Sequence, residues 1–166
     1  MSPGDDVETA YIGLGSNLGN KSRSVAEAAR LLEGEGLRVV RLSRFWLTEP
    51  LEGTGPEWFV NAVAEIATSL DPWPLLARCQ EVEARLGRRR LPGTRAREVD
   101  LDLLLHGGRL LDEPRLTVPH PRLHLRRFVL GPLCELAPGL HHPRLGISLS
   151  RLLESCPDTS LTLPIP

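Results

Sequence analysis

The chain has 166 residues, 41% hydrophobic and 25% charged, with a formal net charge of −1. That length suits one domain with one core, the composition excludes extended disorder, and the near-neutral balance argues against general nucleic-acid or membrane-surface binding. No apolar run reaches the ~18 residues of a membrane span, and the acidic opening MSPGDDVETA lacks the apolar segment of a secretory signal.

In chain order, residues 9–15 (TAYIGLG) form a short buried strand running into glycine. A turn follows, and Asn20 or Ser22 is placed to cap a helix over 22–33, with Val25, Ala28, Ala29, Leu31 and Leu32 at helical spacing. Gly34 and Gly36 stop it. Residues 37–48 alternate and are rich in β-branched and aromatic types, which predicts one long strand. The stretch 49–57, EPLEGTGPE, is a loop, and 58–68 is a second strand antiparallel to the one before.

Asp71 as N-cap and Pro72 at the first position open a helix that runs to Leu86, with Gly87 as its stop. Residues 88–97 are a basic loop and 98–105 a strand. Strand-helix-strand-strand-helix-strand is the split βαβ, or ferredoxin-like, order: an α+β fold, an α/β sandwich with both crossover helices on one sheet face. A loop over 115–127 and short helices near 127–136 and 148–155 complete a single domain, residues 1–166.

Cys79, Cys134 and Cys156 are odd in number and show no C-x-x-C spacing. They predict reduced thiols in a cytoplasmic protein, not a disulfide framework or a zinc site.

The sharpest chemical feature is Asp100-Leu101-Asp102. Alternation along a strand puts both carboxylates on one face, with Val99, Leu101, Leu103 and Leu105 on the other. Two like charges so close repel, and a hard cation such as Mg²⁺ relieves that. An isolated Asp-x-Asp also occurs on solvent-facing strand edges, so the pair needs context. Arg85, Arg88, Arg89, Arg90, Arg95 and Arg97 precede it, and guanidinium forks match phosphate oxygens. Arg115, Thr117, His120, Arg126 and Arg127 form a further basic cluster, with His120 held between Pro119 and Pro121. Phe59, Asn61 and Phe128 offer aromatic faces and an amide for a flat heterocycle, although each phenylalanine taken singly also reads as core. No P-loop, dinucleotide fingerprint or G-x-S-x-G is present.

Five segments together resemble the 6-hydroxymethyl-7,8-dihydropterin pyrophosphokinase family of folate biosynthesis. They are AYIGLGSNLGN (10–20), SRFWLTEPLEGTGPEWFVNAV (43–63), the helix end over 80–88 with E-x-x-x-G-R, REVDLDLLLHG (97–107) and RLTVPHPRLHLRRFVLGPLCELAP (115–138). The resemblance covers about residues 10–143 and leaves about 147–166 as a C-terminal extension. It implies the ferredoxin-like fold and a reaction in which ATP gives its terminal pyrophosphoryl unit to the pterin hydroxymethyl group, releasing AMP. By similarity, Asp100 and Asp102 bind two Mg²⁺ ions, and Arg88 and Arg97 join them as catalytic residues. ATP contacts are expected from Gln80, Arg88, Arg90, Arg97, Leu103, Arg115, Thr117, His120 and Arg126. Phe59 and Phe128 sandwich the pterin, while Asn61 and the chain around Thr48, Pro50 and Leu51 read its edge. Glu83 helps to shape the site. The loops 49–57 and 88–97 would close over the substrates and exclude water.

The sequence departs from the family pattern in two places. Where some members carry a tryptophan in the basic loop, residues 92–96 are PGTRA, and a clamp position that is often tyrosine is Phe59. Rival readings predict different features. A sugar-nucleotide transferase needs a larger nucleotide domain. A ferredoxin-like RNA-binding module needs an RNP pattern, which is missing. A non-catalytic pterin binder has no need of two acids. The expected partners are therefore ATP and the pterin, with no nucleic acid, membrane or obligatory protein partner.

Overall fold

In a computed structural model that describes residues 6–50, 55–87 and 98–166, eight strands and four helices follow the sequence closely at the start. Strand β1 (Glu8–Ser16) alternates: Ala10, Ile12 and Leu14 point into one core, and Tyr11 points into another. Helix α1 (Lys21–Leu32) begins at Asn20, whose side-chain oxygen accepts the Arg23 N–H at 3.1 Å. Its buried residues Val25, Ala28, Ala29 and Leu32 form one stripe.

The long strand expected over 37–48 is broken into β2 (Leu37–Leu42) and β3 (Trp46–Thr48). The break has a local cause. Ser43 donates its N–H to the Val63 carbonyl at 2.9 Å, and its hydroxyl oxygen accepts the Val63 N–H at 2.9 Å. A side-chain oxygen thus replaces a ladder carbonyl, and the register shifts before β3 begins.

Strand β4 (Phe59–Thr68) is followed by α2 (Pro72–Arg85). Asp71 occupies the N-cap position of α2, but its side chain makes no cap hydrogen bond; it pairs instead with Arg109 at 3.1 Å. Gly87, at φ +74, adopts the left-handed conformation that ends the helix.

Strand β5 is Asp100–His106. The main sheet runs β5-β1-β4-β3-β8, with β2 also on β4, and every pairing is antiparallel. Each helical crossover therefore skips one strand. Helices α1 and α2 cover one face, as expected. Helix α3 (Arg127–Leu136) and α4 (Leu149–Glu154) cover part of the other. Close approach of α3 uses Gly131, where a Cβ would lie 3.2 Å from the Trp46 ring.

Four elements go beyond the sequence reading. Strands β6 (Leu111–Glu113) and β7 (Leu116–Val118) form a small hairpin, with β7 inside the loop read over 115–127 and β6 just before it. A 3-10 turn spans Leu123–Leu125. Strand β8 (Thr162–Pro164) adds the C-terminal segment to the sheet beside β3.

Leu105 is a correction. The register of β1 on β5 shifts between Tyr11 and Ile12, so Leu104 and Leu105 both turn to the α3 side. The bulge adds one residue to β5 and inverts the alternation beyond it. Val99, Leu101 and Leu103 stay on the α1/α2 side, as the pattern predicts.

Candidate active site

The α3 face of the sheet is only partly covered. Where α3 begins, it leaves a cavity of about 180 Å³ whose floor is β1, β4 and β5. The floor explains the glycines of β1. Gly13 stands opposite Asp102, and Gly15 stands between Asp100 on one side and Asn61 on the other. A Cβ at Gly15 would lie 2.7 Å from Oδ1 of Asn61 and one at Gly13 3.5 Å from the Leu104 side chain, so the glycines let the amide and Leu104 lie close over β1.

Thr48, Phe59, Asn61, Asp100, Asp102, Arg126 and Phe128 all line this cavity. The structure thus brings together residues from β3, β4, β5 and the start of α3. Asn61 is 8% exposed and donates from Nδ2 to the Thr48 hydroxyl at 3.1 Å. That bond fixes the amide, with Oδ1 toward Gly15. The Arg126 guanidinium lies 5.5 Å from the Phe128 ring centroid. Burial holds its pKa below the ordinary arginine value, with Arg122 adding to that and Asp102 and Asp100 opposing it. Arginine stays charged regardless.

His120 sits just outside the cavity lining. Its backbone N–H bonds to the Leu104 carbonyl at 2.8 Å, which ties the loop to β5. Its Nδ1 accepts the Arg122 N–H at 3.1 Å. Burial pushes its pKa down to about 4, Arg126 and Arg122 push the same way, and Asp100 opposes them. Near neutral pH it is an uncharged imidazole carrying its proton on Nε2, a donor suited to a phosphate oxygen.

The acid strand is braced from behind. Glu83 on α2 is 3% exposed, and its Oε1 accepts the Leu101 N–H at 2.9 Å. The bond fixes the backbone midway between the two aspartates. Cys79, one turn earlier, is inert: burial pushes its thiol up to about 12, with Glu83 and Asp102 adding. All three cysteines are free thiols.

The other expected site residues fall around the rim or elsewhere. Gln80 is exposed on α2. Arg115 and Thr117 belong to the β6–β7 hairpin. Pro50 is partly buried just after β3. Leu103 points into the α1/α2 core, so only its backbone is available to a ligand. Leu51, Arg88, Arg90 and Arg97 lie outside the described residues, as do Arg89 and Arg95. Gly13, Gly15, Val63, Leu104 and Val129 also line the cavity. They fall within the segments that resemble the family, but the sequence reading gave them no role, because cross-strand register, which a linear pattern does not contain, places them there.

The acids suit a hard divalent cation. Two carboxylates on one strand face border the cavity, and Mg²⁺ characteristically takes one or two carboxylates plus substrate oxygens. Among the described residues no group of three or more metal-ligating side chains occurs. No helix among them is long and apolar enough to cross a membrane.

Comparison with known proteins places the fold and the family. Solved structures of HPPK-DHPS proteins have the same fold. One, in complex with substrates, matches at TM-score 0.71 and 11% identity, covering 90% of this chain and 43% of that one. Another, from Plasmodium falciparum with pteroate, matches at TM-score 0.74 and 13% identity, over 90% of this chain and 44% of that one. In sequence, the chain is 40% identical over 152 residues to the 2-amino-4-hydroxy-6-hydroxymethyldihydropteridine pyrophosphokinase of Pseudomonas aeruginosa, covering 91% of this chain and 93% of that protein. The enzyme of the same name from Methylorubrum extorquens is 42% identical over 132 residues, 79% of this chain and 84% of that protein. The folic acid synthesis protein fol1 of Pneumocystis carinii is 34% identical over 161 residues, and there this chain spans only 22% of the relative's length. The family model for 7,8-dihydro-6-hydroxymethylpterin-pyrophosphokinase matches residues 11–138, which include every cavity-lining residue named above, and the chain belongs to that family.

Proposed function

We propose that the chain transfers the terminal pyrophosphoryl unit of ATP to the hydroxymethyl group of 6-hydroxymethyl-7,8-dihydropterin, giving AMP and the pterin pyrophosphate. The observation that carries this reading is the shared cavity. The Phe59, Asn61 and Phe128 cluster opens directly onto Asp100 and Asp102. A flat heterocycle and a polyphosphate would therefore meet inside it.

In this reading Phe59 and Phe128 stack on the pterin faces, and Asn61, held by Thr48, reads the edge. Arg126 and the neutral His120 donate to phosphate oxygens. Asp100 and Asp102 would hold the divalent cations, two Mg²⁺ ions by family resemblance. Such ions, when bound, would supply charge screening of the triphosphate and Lewis-acid polarisation of its phosphoryl oxygens. The hydroxymethyl oxygen bonds to that phosphorus, the bond to the α-phosphate oxygen breaks, AMP leaves with the electron pair, and the hydroxyl proton is released. The chain's own contribution is positioning and charge neutralisation. Gln80, Arg88, Arg90, Arg97, Leu103 (by its backbone), Arg115 and Thr117 complete the ATP side, and Pro50 and Leu51 complete the pterin side.

The fold is read as ferredoxin-like, supported by the strand order and the skipped-strand crossovers. Residues 1–166 are read as one pyrophosphokinase domain, supported by two cores that share one sheet. The test is product analysis with protein, ATP, Mg²⁺ and the pterin. AMP formed only when pterin is present supports the reading. ADP, or no nucleotide turnover, overturns it.

A further inference from the structure

The first turn of α3 carries Arg126 and Phe128 into the cavity, yet Arg126, its N-cap residue, makes no side-chain cap. The acceptor comes from the C-terminal segment, 31 positions away: Asp158 Oδ2 accepts the Arg127 N–H at 2.9 Å. The Asp158 backbone carbonyl accepts from Arg127 Nε at 3.0 Å, and Oδ1 accepts the Ser160 N–H at 2.9 Å. A carboxylate is the favoured group at a helix N-terminus, where backbone N–H groups lack partners.

The same segment also grips the opposite wall. Thr162 of β8 stands opposite Thr48 of β3, the partner of Asn61. Around that pair, Glu49 donates its N–H to the Leu161 carbonyl at 3.0 Å, and Ile165 donates to the Phe45 carbonyl at 2.7 Å. Residues 158–165 thus tie the start of α3 to the strand beside the amide.

We propose that Asp158 is a positioning residue for the heterocycle, setting Phe128 and Arg126 against Phe59 and Asn61. The proposal rests on the pterin reading given above. The rest of α3 does not depend on this cap, because Val129, Leu130, Leu133 and Leu136 are buried in the core. Losing the cap moves the first turn and leaves the helix docked, so ligand affinity suffers more than stability.

The experiment uses the full chain as wild type, Asp158→Ala and Asp158→Asn. Steady-state KM is measured for the pterin and for ATP with Mg²⁺, binding of 6-hydroxymethylpterin by its fluorescence, and stability by urea unfolding. Asp158→Ala should raise pterin KM and Kd about tenfold, the scale of a lost cap, with ATP KM, to which Arg126 supplies one of several contacts, raised by no more than about threefold. Asp158→Asn keeps one oxygen for the Arg127 N–H and should recover to within about threefold. Pterin affinity unchanged in Asp158→Ala overturns the proposal. So does a fall in pterin affinity, ATP affinity and urea midpoint together, with no recovery in Asp158→Asn, since that is a merely structural role. If Asp158→Ala fails to fold, Asp158→Glu, which keeps the charge but displaces the carboxylate from the Arg127 N–H, carries the test: pterin KM should rise more than ATP KM, and an unchanged pterin KM overturns the proposal. A wild type without pterin binding or AMP release overturns the functional reading itself, which an active wild type with an indifferent Asp158→Ala does not.

Discussion

A Cβ on Gly15 would lie 2.7 Å from Oδ1 of Asn61. The two residues face each other across β1 and β4, and the amide is held by its bond to Thr48. Gly15→Ala would push Oδ1 aside and break that bond. The expected result is a pterin KM raised about tenfold, with a stability loss near 1 kcal/mol, the low end for overpacking at a side-chain tip. Steady-state kinetics with urea unfolding checks it, and an unchanged pterin KM would sink the edge-reading role of Asn61.

Asp100→Ala and Asp102→Ala should each reduce AMP release at least about 10³-fold, since removing one electrostatic group at a charged transition state has effects of that order. Both variants should fold. Mg²⁺ should raise the wild-type melting temperature in the presence of a non-hydrolysable ATP analogue and fail to do so in the variants. Retained turnover in both would remove the metal assignment.

Glu83 offers a cleaner test of bracing. Glu83→Ala leaves the buried Leu101 N–H without its acceptor, a loss of about 1–3 kcal/mol. Glu83→Gln keeps a carbonyl oxygen at the same place and should recover at least half of that loss. Urea unfolding reads both, and equal losses would mean that the charge of Glu83, not its hydrogen bond, supports β5.

The His120 pKa is about 4 in the folded chain against 6.5 for an ordinary histidine. Between those values the unfolded chain binds the extra proton. Stability from this site is therefore full above pH 6.5 and is lost as pH falls toward 4. His120→Gln should flatten the stability profile across that window relative to wild type, by about 1 kcal/mol after allowing for solvent screening. Unfolding curves at several pH values check the difference, and parallel profiles would contradict a buried neutral imidazole.

The helices were legible in the sequence for a direct reason. Asn20, Pro72 and Gly87 mark their ends, and the apolar stripe of α1 follows from 3.6-residue periodicity. The same locality put Asp100 and Asp102 on one face of a strand and Leu101 and Leu103 on the other. The strand break at Ser43 was hidden, because it depends on a serine hydroxyl meeting an N–H twenty positions away. Leu105 was misplaced for a similar reason, since a bulge is set by the partner strand.

By itself, then, the sequence determined which residues carry charge, aromatic faces and amides, and through local periodicity which of them share an element. Only the tertiary structure decided that Gly13 and Gly15 lie opposite the acids and Asn61, that Glu83 holds the strand between the acids, and that Asp158 closes the first turn of α3. Helix and strand periods are written in neighbouring residues. Register, bulges and caps supplied from afar depend on how separate segments meet, and that is fixed by packing of the whole sheet against its two cores.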